Sequence, residues 1–468
     1  MTARFSRRDV LETFPAGLAA SAASVSASAE PIRARPPATR RSLPPGAYAK
    51  NVEAVGYTDM QDRPAFKMAI REVAGRWYLY TGHFWHSGWS VVDVTDPEVP
   101  EIARFIPGPT NTWTLQVDLH GDTMVTALEK VFANFGGRAD HPFEEGVLIW
   151  DIADPVNPRQ LAQFRTHGTG THRNGYPGGR YVHLAAGATG YKGNIYIILD
   201  ISDRAKPREA GRWWVPGQHE AERETAATTF AALEKSDHSN RGCLCGAFCA
   251  SGQDVSLHGP PYISGNLAYL PYGAAGMIVL DISDVSKPVQ IGGLGFSPPF
   301  HSRFGVHGVL PIPGKGIAFA NSEDTSYGKG PAHHASIIDI SNPAQPFLLS
   351  LFPEPIPPDG ASYKEFSTRG GWCGPHNMNH HQHHPDVQQQ GDLFYIAHFN
   401  AGLRIYDVSA PRLPREVGYF LPPEPTRRYG PMPEGKLVLQ SEDVVVDRRG
   451  YIYLSDKNQG VWILRYSG

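Results

Sequence analysis

The chain has 468 residues, of which 41% are hydrophobic and 19% charged, with a formal net charge of −3. This balance is typical of a globular protein. It lacks the excess of basic residues that would attract nucleic acid or an anionic membrane. The length exceeds what one compact core usually holds, so we expect several domains or one large repeat architecture. The 49 Gly, 41 Pro and 11% aromatic residues indicate many turns and short strands.

The first residues predict an export signal. Arg7 and Arg8 precede the small, mildly apolar run "TFPAGLAASAASVSASA", and a small-residue cleavage site follows at 27–29. The stretch resembles a twin-arginine signal, although Val10 and Glu12 replace the usual Phe and Lys. A disordered basic tail is the alternative. We expect a signal at 1–29, a linker at 30–50, the twin-arginine export machinery as partner, a periplasmic or secreted location and no integral membrane segment.

One phrase recurs six times along the rest of the chain. Each copy is a short β-branched or aromatic strand that ends in Asp, a polar turn that ends in Pro seven residues later, and a further strand. The copies are "VVDVTDPEVP", "LIWDIADPVNP", "IILDISDRAKP", "IVLDISDVSKP", "SIIDISNPAQP" and "RIYDVSAPRLP", with Asp93, Asp151, Asp200, Asp281, Asp339 and Asp407. With a strand pair upstream of each copy, the pattern is typical of four-stranded propeller blades.

The fold expected is an all-β, seven-bladed β-propeller over 51–468, with six to eight blades as the range. The phrases resemble the LVIVD repeat family over most of 50–468, and that family's members form β-propellers. The last segment, "EDVVVDRRGYIYLSDKNQGVWILRYSG", has three strands, and "NVEAVGYT" (51–58) resembles "REVGYF" (415–420). We therefore expect the N-terminal strand to close the last blade. A pair of β-sandwiches is the alternative.

Alignment of the predicted inner strands places histidines in one column. Counting back from the turn before each second strand gives His172, His258, His307 and His381, with His383 as the alternative in blade six and Asp443 in blade seven. Imidazoles that converge on the propeller axis predict a metal site. The alternative is that each His caps a loop. His120 is assigned to the far end of its strand, and His376, His380 and His384 are assigned no role.

A second polar set is expected on the same face, from the loops between second and third strands. Its members could orient the ligand imidazoles or act as acid or base, and the catalytic candidates, together with Asp443, are Glu129, Glu323 and His398. For any one of them, the alternative is an ordinary polar side chain that faces solvent on a loop.

Two insertions, 214–256 and 352–376, are expected to overhang the histidines. The first carries Cys243, Cys245 and Cys249 and a predicted short helix at 225–235; the second carries Cys373. We expect Cys373 to form a disulfide with one of the other three.

A ring of neutral imidazoles suits iron or copper better than zinc. The arrangement is similar to that of the carotenoid and stilbene cleavage oxygenases, which bind iron with four histidines on a propeller axis. The leading hypothesis is an exported metal-dependent oxidoreductase that uses oxygen on a small apolar or aromatic substrate. A metal-dependent lyase or hydrolase, and a non-enzymatic propeller that binds a protein or polysaccharide, are the alternatives.

Overall fold

The computed structural model describes residues 43–222, 255–296, 304–323, 325–327 and 333–468. Strands dominate, and the described helices are single 3-10 turns, none of which is long and apolar enough to span a membrane. These turns are Ala133–Phe135, Glu220–Glu222, Pro313–Lys315, Phe366–Thr368 and Phe399–Ala401. The predicted signal, the predicted helix at 225–235 and three of the four cysteines lie outside the described residues.

The strands pair antiparallel in groups of four, here called units. Unit 1 comprises β3 (Ala65–Val73), β4 (Arg76–His83), β5 (Gly88–Asp93) and β6 (Glu101–Pro107); unit 2 comprises β8 (Val117–His120), β9 (Thr123–Lys130), β10 (Gly146–Asp151) and β11 (Arg159–Phe164), and the short β7 (Thr112–Trp113) also pairs with β9. Unit 3 comprises β12 (Gly170–Gly175), β13 (Tyr181–Gly187), β14 (Asn194–Asp200) and β15 (Arg208–Trp213), and unit 4 comprises β16 (Tyr262–Ser264), β17 (Leu267–Pro271), β18 (Met277–Asp281) and β19 (Val289–Leu294).

Three further units complete the series. Unit 5 comprises β20 (Phe304–Ile312), β21 (Ile317–Glu323), β22 (Ala335–Asp339) and β23 (Phe347–Leu351), and unit 6 comprises β24 (Pro375–Met378), β25 (Leu393–His398), β26 (Gly402–Asp407) and β27 (Arg415–Leu421), to which β1 (Tyr48–Lys50) adds an edge strand. Unit 7 comprises β28 (Ser441–Val446), β29 (Tyr451–Asp456), β30 (Val461–Tyr466) and β2 (Val52–Thr58).

The recurring phrase is the connection between the third and fourth strands of a unit. In each copy the Asp that ends the third strand accepts a hydrogen bond from the backbone N–H two residues later, as Asp281 does from Ser283 at 2.8 Å. This side-chain turn reverses the chain, and the residue after the Pro then pairs with the Asp, as Val289 pairs with Asp281. The spacing of the phrase thus follows from the geometry of one turn.

The hydrophobic core lies between neighbouring units. Seven buried hydrophobic clusters each join two successive units, and one of them joins unit 7 to unit 1. In that cluster Val445 and Ile463 pack with Met68, Ile70 and Leu79. The units therefore form a closed ring, and the predicted all-β propeller is confirmed.

The N-terminal strand closes the ring as predicted. Strand β2 pairs with β30 from Val52 opposite Tyr466 to Thr58 opposite Val461. The last unit thereby gains its fourth strand from the other end of the chain, and its edge is covered.

Replacing Ile463 by Ala is expected to destabilise the fold by about 2–5 kcal/mol, because this side chain is fully buried between units 7 and 1 and its removal leaves a cavity. Urea denaturation followed by tryptophan fluorescence measures the change. The control is Val289→Ala on an exposed outer strand, for which a change within about 0.5 kcal/mol is expected. Equal midpoints for the two variants would contradict the packing role of Ile463.

Candidate metal centre

The first strands of several units share a break in their pairing register. At such a bulge the extra residue is unpaired, and its side chain can be directed away from the regular alternation. The breaks coincide with polar residues: His172 in β12, His307 in β20, His376 in β24, and Glu442 with Asp443 in β28. These bulges account for polar side chains that leave the hydrophobic clusters and gather at the centre.

Four imidazoles from units 3 to 6 form a row. The ring centroids of His172 and His258 are 4.5 Å apart, those of His258 and His307 are 5.0 Å apart, and those of His307 and His376 are 4.7 Å apart. His307 and His376 are almost fully buried, and the other two side chains retain only slight exposure. One histidine from each of four successive units thus lies against the next in a continuous row.

Glu323, the last residue of β21, brings a carboxylate to this row. Its Oε2 lies 2.9 Å from His258 Nε2 and 3.8 Å from His307 Nε2, and its Oε1 lies 3.8 Å from His376 Nε2. One donor atom from each of His258, His307 and Glu323 lies within 4.8 Å of the others. Donor atoms that bind one metal ion at about 2.1 Å have separations in this range.

Two further glutamates contact the Nδ1 atoms of the histidines at the two ends of the row, His172 and His376. Glu129 Oε2 is 2.8 Å from His172 Nδ1, whereas His376 Nδ1 lies 2.7 Å from the backbone carbonyl oxygen of Glu442 and 3.1 Å from its Oε2. An Nδ1–H that donates to a carboxylate leaves the Nε2 lone pair available, and this pairing is common behind metal ligands. His172 Nε2 is buried and has no hydrogen-bond partner among the described residues.

Burial sets the protonation of the central imidazoles. Desolvation, with the neighbouring His172, lowers the pKa of His258 to about 3, and desolvation likewise holds the pKa of His307 well below its usual range. Burial alone would raise the pKa of Glu323, but interactions that include the hydrogen bond with His258 and the charge of Arg173 outweigh it and the pKa is lowered. Neutral imidazoles beside a carboxylate are the forms that bind metal.

Two buried cations lie beside these groups. Arg173 Nη2 donates to His307 Nε2 at 3.1 Å and lies 3.5 Å from His376 Nε2. Lys457 Nζ is 2.9 Å from Glu442 Oε1 and 3.5 Å from the ring centroid of Trp372. A metal bound through His307 Nε2 would replace the hydrogen bond from Arg173.

The row borders a cavity of about 270 Å³. Its polar lining includes His172, His258, His376, Glu323 and Arg173. The remaining wall is mostly aromatic and apolar, from Phe66, Phe84, Trp113, Leu115, Phe132, Phe135, Phe304, Tyr327, Trp372 and Met432. The insertion at 352–376 thus contributes Trp372 to this cavity. The site offers metal-binding groups next to a small, largely apolar space.

The structure does not place His381 in the row, and here the sequence alignment is wrong. His381 Nδ1 is instead 3.0 Å from Asp118 Oδ1, and Asp118 also accepts a hydrogen bond from Tyr176 N. The alternative, His383, stacks on Tyr262. The fourth histidine is His376, because residues 379–392 form a long connection between β24 and β25 and counting back from the turn stops short of the inner strand.

The structure brings two of the four catalytic candidates to the histidine row and places the other two elsewhere. Glu129 and Glu323 contact the histidine row, but Asp443 does not. Its Oδ1 pairs with Lys67 Nζ at 2.7 Å and its Oδ2 accepts a hydrogen bond from Met68 N at 2.9 Å. His398 is buried beside a separate cavity that Cys373 and Glu354 also line.

Three residues of the site were missed in the sequence. Arg173 directly follows His172, and Glu442 directly precedes the aligned Asp443, so both are adjacent to aligned positions. His376 is the second residue of β24, at the register break of that strand. Cys373 is buried and has no disulfide with a described residue, so its pairing with the remaining cysteines stays a prediction.

Comparison with known proteins agrees with the repeat architecture. The LVIVD repeat family matches residues 190–214, 262–293, 336–352 and 384–421. No curated protein sequence matches the chain.

Solved structures similar to this chain include propellers of distant sequence. The periplasmic gluconolactonase PpgL of Pseudomonas aeruginosa is 12% identical, with 90% of this chain and 99% of that chain covered and a TM-score of 0.48. The β-propeller domain of Cps50 (Swd1) from Myceliophteria thermophila is 10% identical, with 88% and 98% covered and a TM-score of 0.48. The chain is an all-β propeller that carries LVIVD repeats.

Proposed function

We propose that this protein is a metal-dependent enzyme whose metal is held by His172, His258, His307, His376 and Glu323. The observation that carries the proposal is a row of four buried imidazoles with the Glu323 carboxylate beside three of them, while Glu129 and Glu442 fix the two end imidazoles through Nδ1. Loop capping does not explain this arrangement, because capping requires neither adjacent imidazoles nor glutamates that fix their Nδ1 atoms.

The donor set favours iron(II). His258, His307 and Glu323 supply two imidazoles and one carboxylate, the combination that non-haem iron oxygenases use, whereas an all-imidazole site would suit copper equally well. Bound iron would supply oxygen activation, and we propose an oxidoreductase that acts on a small apolar or aromatic substrate. Export to the periplasm remains part of the proposal on the basis of the N-terminal sequence.

The chain's own residues have separable roles in this proposal. Glu129 and Glu442 orient His172 and His376. The aromatic wall excludes water from the cavity and binds the apolar body of the substrate. Lys457 offsets the negative charge of Glu442.

Metal analysis of protein purified from the periplasm tests the proposal. We expect about one iron per chain, and oxygen consumption when aromatic substrates are added. Zinc at the same stoichiometry, with hydrolysis or elimination activity, would favour a lyase or hydrolase. Protein that neither retains metal nor binds added iron(II) would contradict a metal enzyme and favour a non-enzymatic binding propeller.

Glu129→Gln is expected to weaken metal binding about 10- to 100-fold, because it removes the charge that fixes His172 through Nδ1. Competition with a chromophoric chelator measures the affinity. Glu145→Gln is the matched control, since Glu145 is also buried but accepts hydrogen bonds from Thr166. An equal loss in both variants would indicate a general effect on folding.

A further inference from the structure

We propose that the substrate carries a carboxylate on its aromatic or apolar body, and that Arg173 binds this carboxylate. The inference rests on the proposed function, because it assigns the substrate class of the same cavity. It follows from the charge of a buried residue that has no ionic partner in the described part of the chain.

Arg173 is 2% exposed, and within the described part of the chain its guanidinium hydrogen-bonds with imidazole and amide groups only. Its contacts there are His307 Nε2 at 3.1 Å, His376 Nε2 at 3.5 Å and Asn377 Oδ1 at 3.5 Å, and no described residue is a hydrogen-bond partner of its Nε. No carboxylate of the described residues lies within 4.0 Å of it. A buried cation in this state is costly unless an anion joins it.

The nearby carboxylates already have closer partners. Glu323 pairs with His258, Glu442 with Lys457, Asp443 with Lys67, and Glu129 with His172, at 2.7–2.9 Å. These four act on Arg173 only at longer range. No described carboxylate makes direct contact with the guanidinium, and a bound anion would supply that contact.

A bound metal makes the demand for an anion stronger. It would add positive charge next to Arg173, and it would take the Nε2 lone pairs that now accept hydrogen bonds from the guanidinium. The freed N–H groups form a planar fork that matches a carboxylate.

The rest of the substrate is defined by the wall of the cavity. Arg173 lines the same cavity as Phe84, Trp113, Phe135 and Trp372. With about 270 Å³, the cavity is at the small end of ligand pockets, which favours an acid with a single aromatic ring.

The test compares three probes that share one ring: trans-cinnamate, its neutral amide and phenyl phosphate. Trp113 and Trp372 line the cavity, so quenching of tryptophan fluorescence reports binding to the full-length protein. Cinnamate is expected to bind about 10- to 100-fold more tightly than the amide, as loss of a charged hydrogen-bond pair implies. Arg173→Met should bring the ratio close to one. Arg404→Met, which alters a buried arginine paired with Glu416, should not change it.

Equal binding of acid and amide, no binding of either, or a preference that persists in Arg173→Met would overturn the proposal. Tighter binding of phenyl phosphate than of cinnamate would overturn the choice of carboxylate. If Arg173→Met does not fold, Arg173→Lys and the ratio in the native protein decide. Metal content is measured on the same samples. Metal-free protein with an Arg173-dependent preference would refute only the metal site, and metal-loaded protein without a preference would refute only this inference.

Discussion

Replacing His376 by Ala is expected to remove most of the bound metal. His376 Nε2 faces Glu323 and His307, and its Nδ1 is fixed by Glu442. Loss of a ligand should lower the affinity by more than about 100-fold, beyond the effect typical of outer hydrogen-bond partners. Metal per chain is measured by mass spectrometry after dialysis, and thermal unfolding shows whether the fold is retained.

His381→Ala is the matched control, because His381 lies five residues from His376 and has a similar environment. Like His376, His381 is largely buried, and its Nδ1 also contacts a carboxylate, that of Asp118 at 3.0 Å. It lies outside the histidine row, so metal content should stay as in the unmodified protein. Loss of metal from His381→Ala with retention in His376→Ala would restore the alignment made from the turn and contradict the site described here.

The second large effect is expected at the junction between units 7 and 1. Asp443 has no exposed surface and Lys67 is 4% exposed, and their charged atoms are 2.7 Å apart. Asp443→Leu leaves an uncompensated ammonium group in this junction and should cost about 3–5 kcal/mol of unfolding free energy. Chemical denaturation, followed by far-ultraviolet circular dichroism, measures the loss.

The double variant Lys67→Met with Asp443→Leu separates charge from packing. Removal of both charges should recover most of the lost stability, because two apolar side chains of similar length no longer require a partner. If the double variant were less stable than Asp443→Leu alone, the ion pair would not be the source of the effect. Metal content should be unaffected in each folded variant, since Asp443 does not contact the histidine row.

The fold could be predicted because the same turn, with the same Asp and Pro residues, recurs between the third and fourth strands of six units. Asp281 and its equivalents accept the same backbone hydrogen bond in each copy, so the residues themselves define the turn. Closure could also be predicted, since "NVEAVGYT" resembles an outer strand and unit 7 lacks one. Both features depend on short sequence segments that recur from copy to copy.

The site could be predicted only where the connections are short. In unit 3, residues 176–180 separate β12 from β13, and counting back from the turn reaches His172. In unit 6, the longer segment 379–392 breaks that count, and its four histidines offer false matches to the column. The alignment placed Asp443 in the histidine column. Its ion pair with Lys67 forms only when units 7 and 1 meet on ring closure, and no local sequence pattern indicates that contact.

The pairing of β2 with β30 has a consequence for the order of events during synthesis. Strand β2 is made before the seven units are complete and β30 after the other six, so the ring cannot close until β30 has been synthesised. Glu442, which fixes His376, belongs to the same final unit. A nascent chain that ends before this residue can carry all four histidines and still lack the group that orients one of them. If the protein binds metal as proposed, loading should therefore follow synthesis of unit 7, because the ring and the site become complete together.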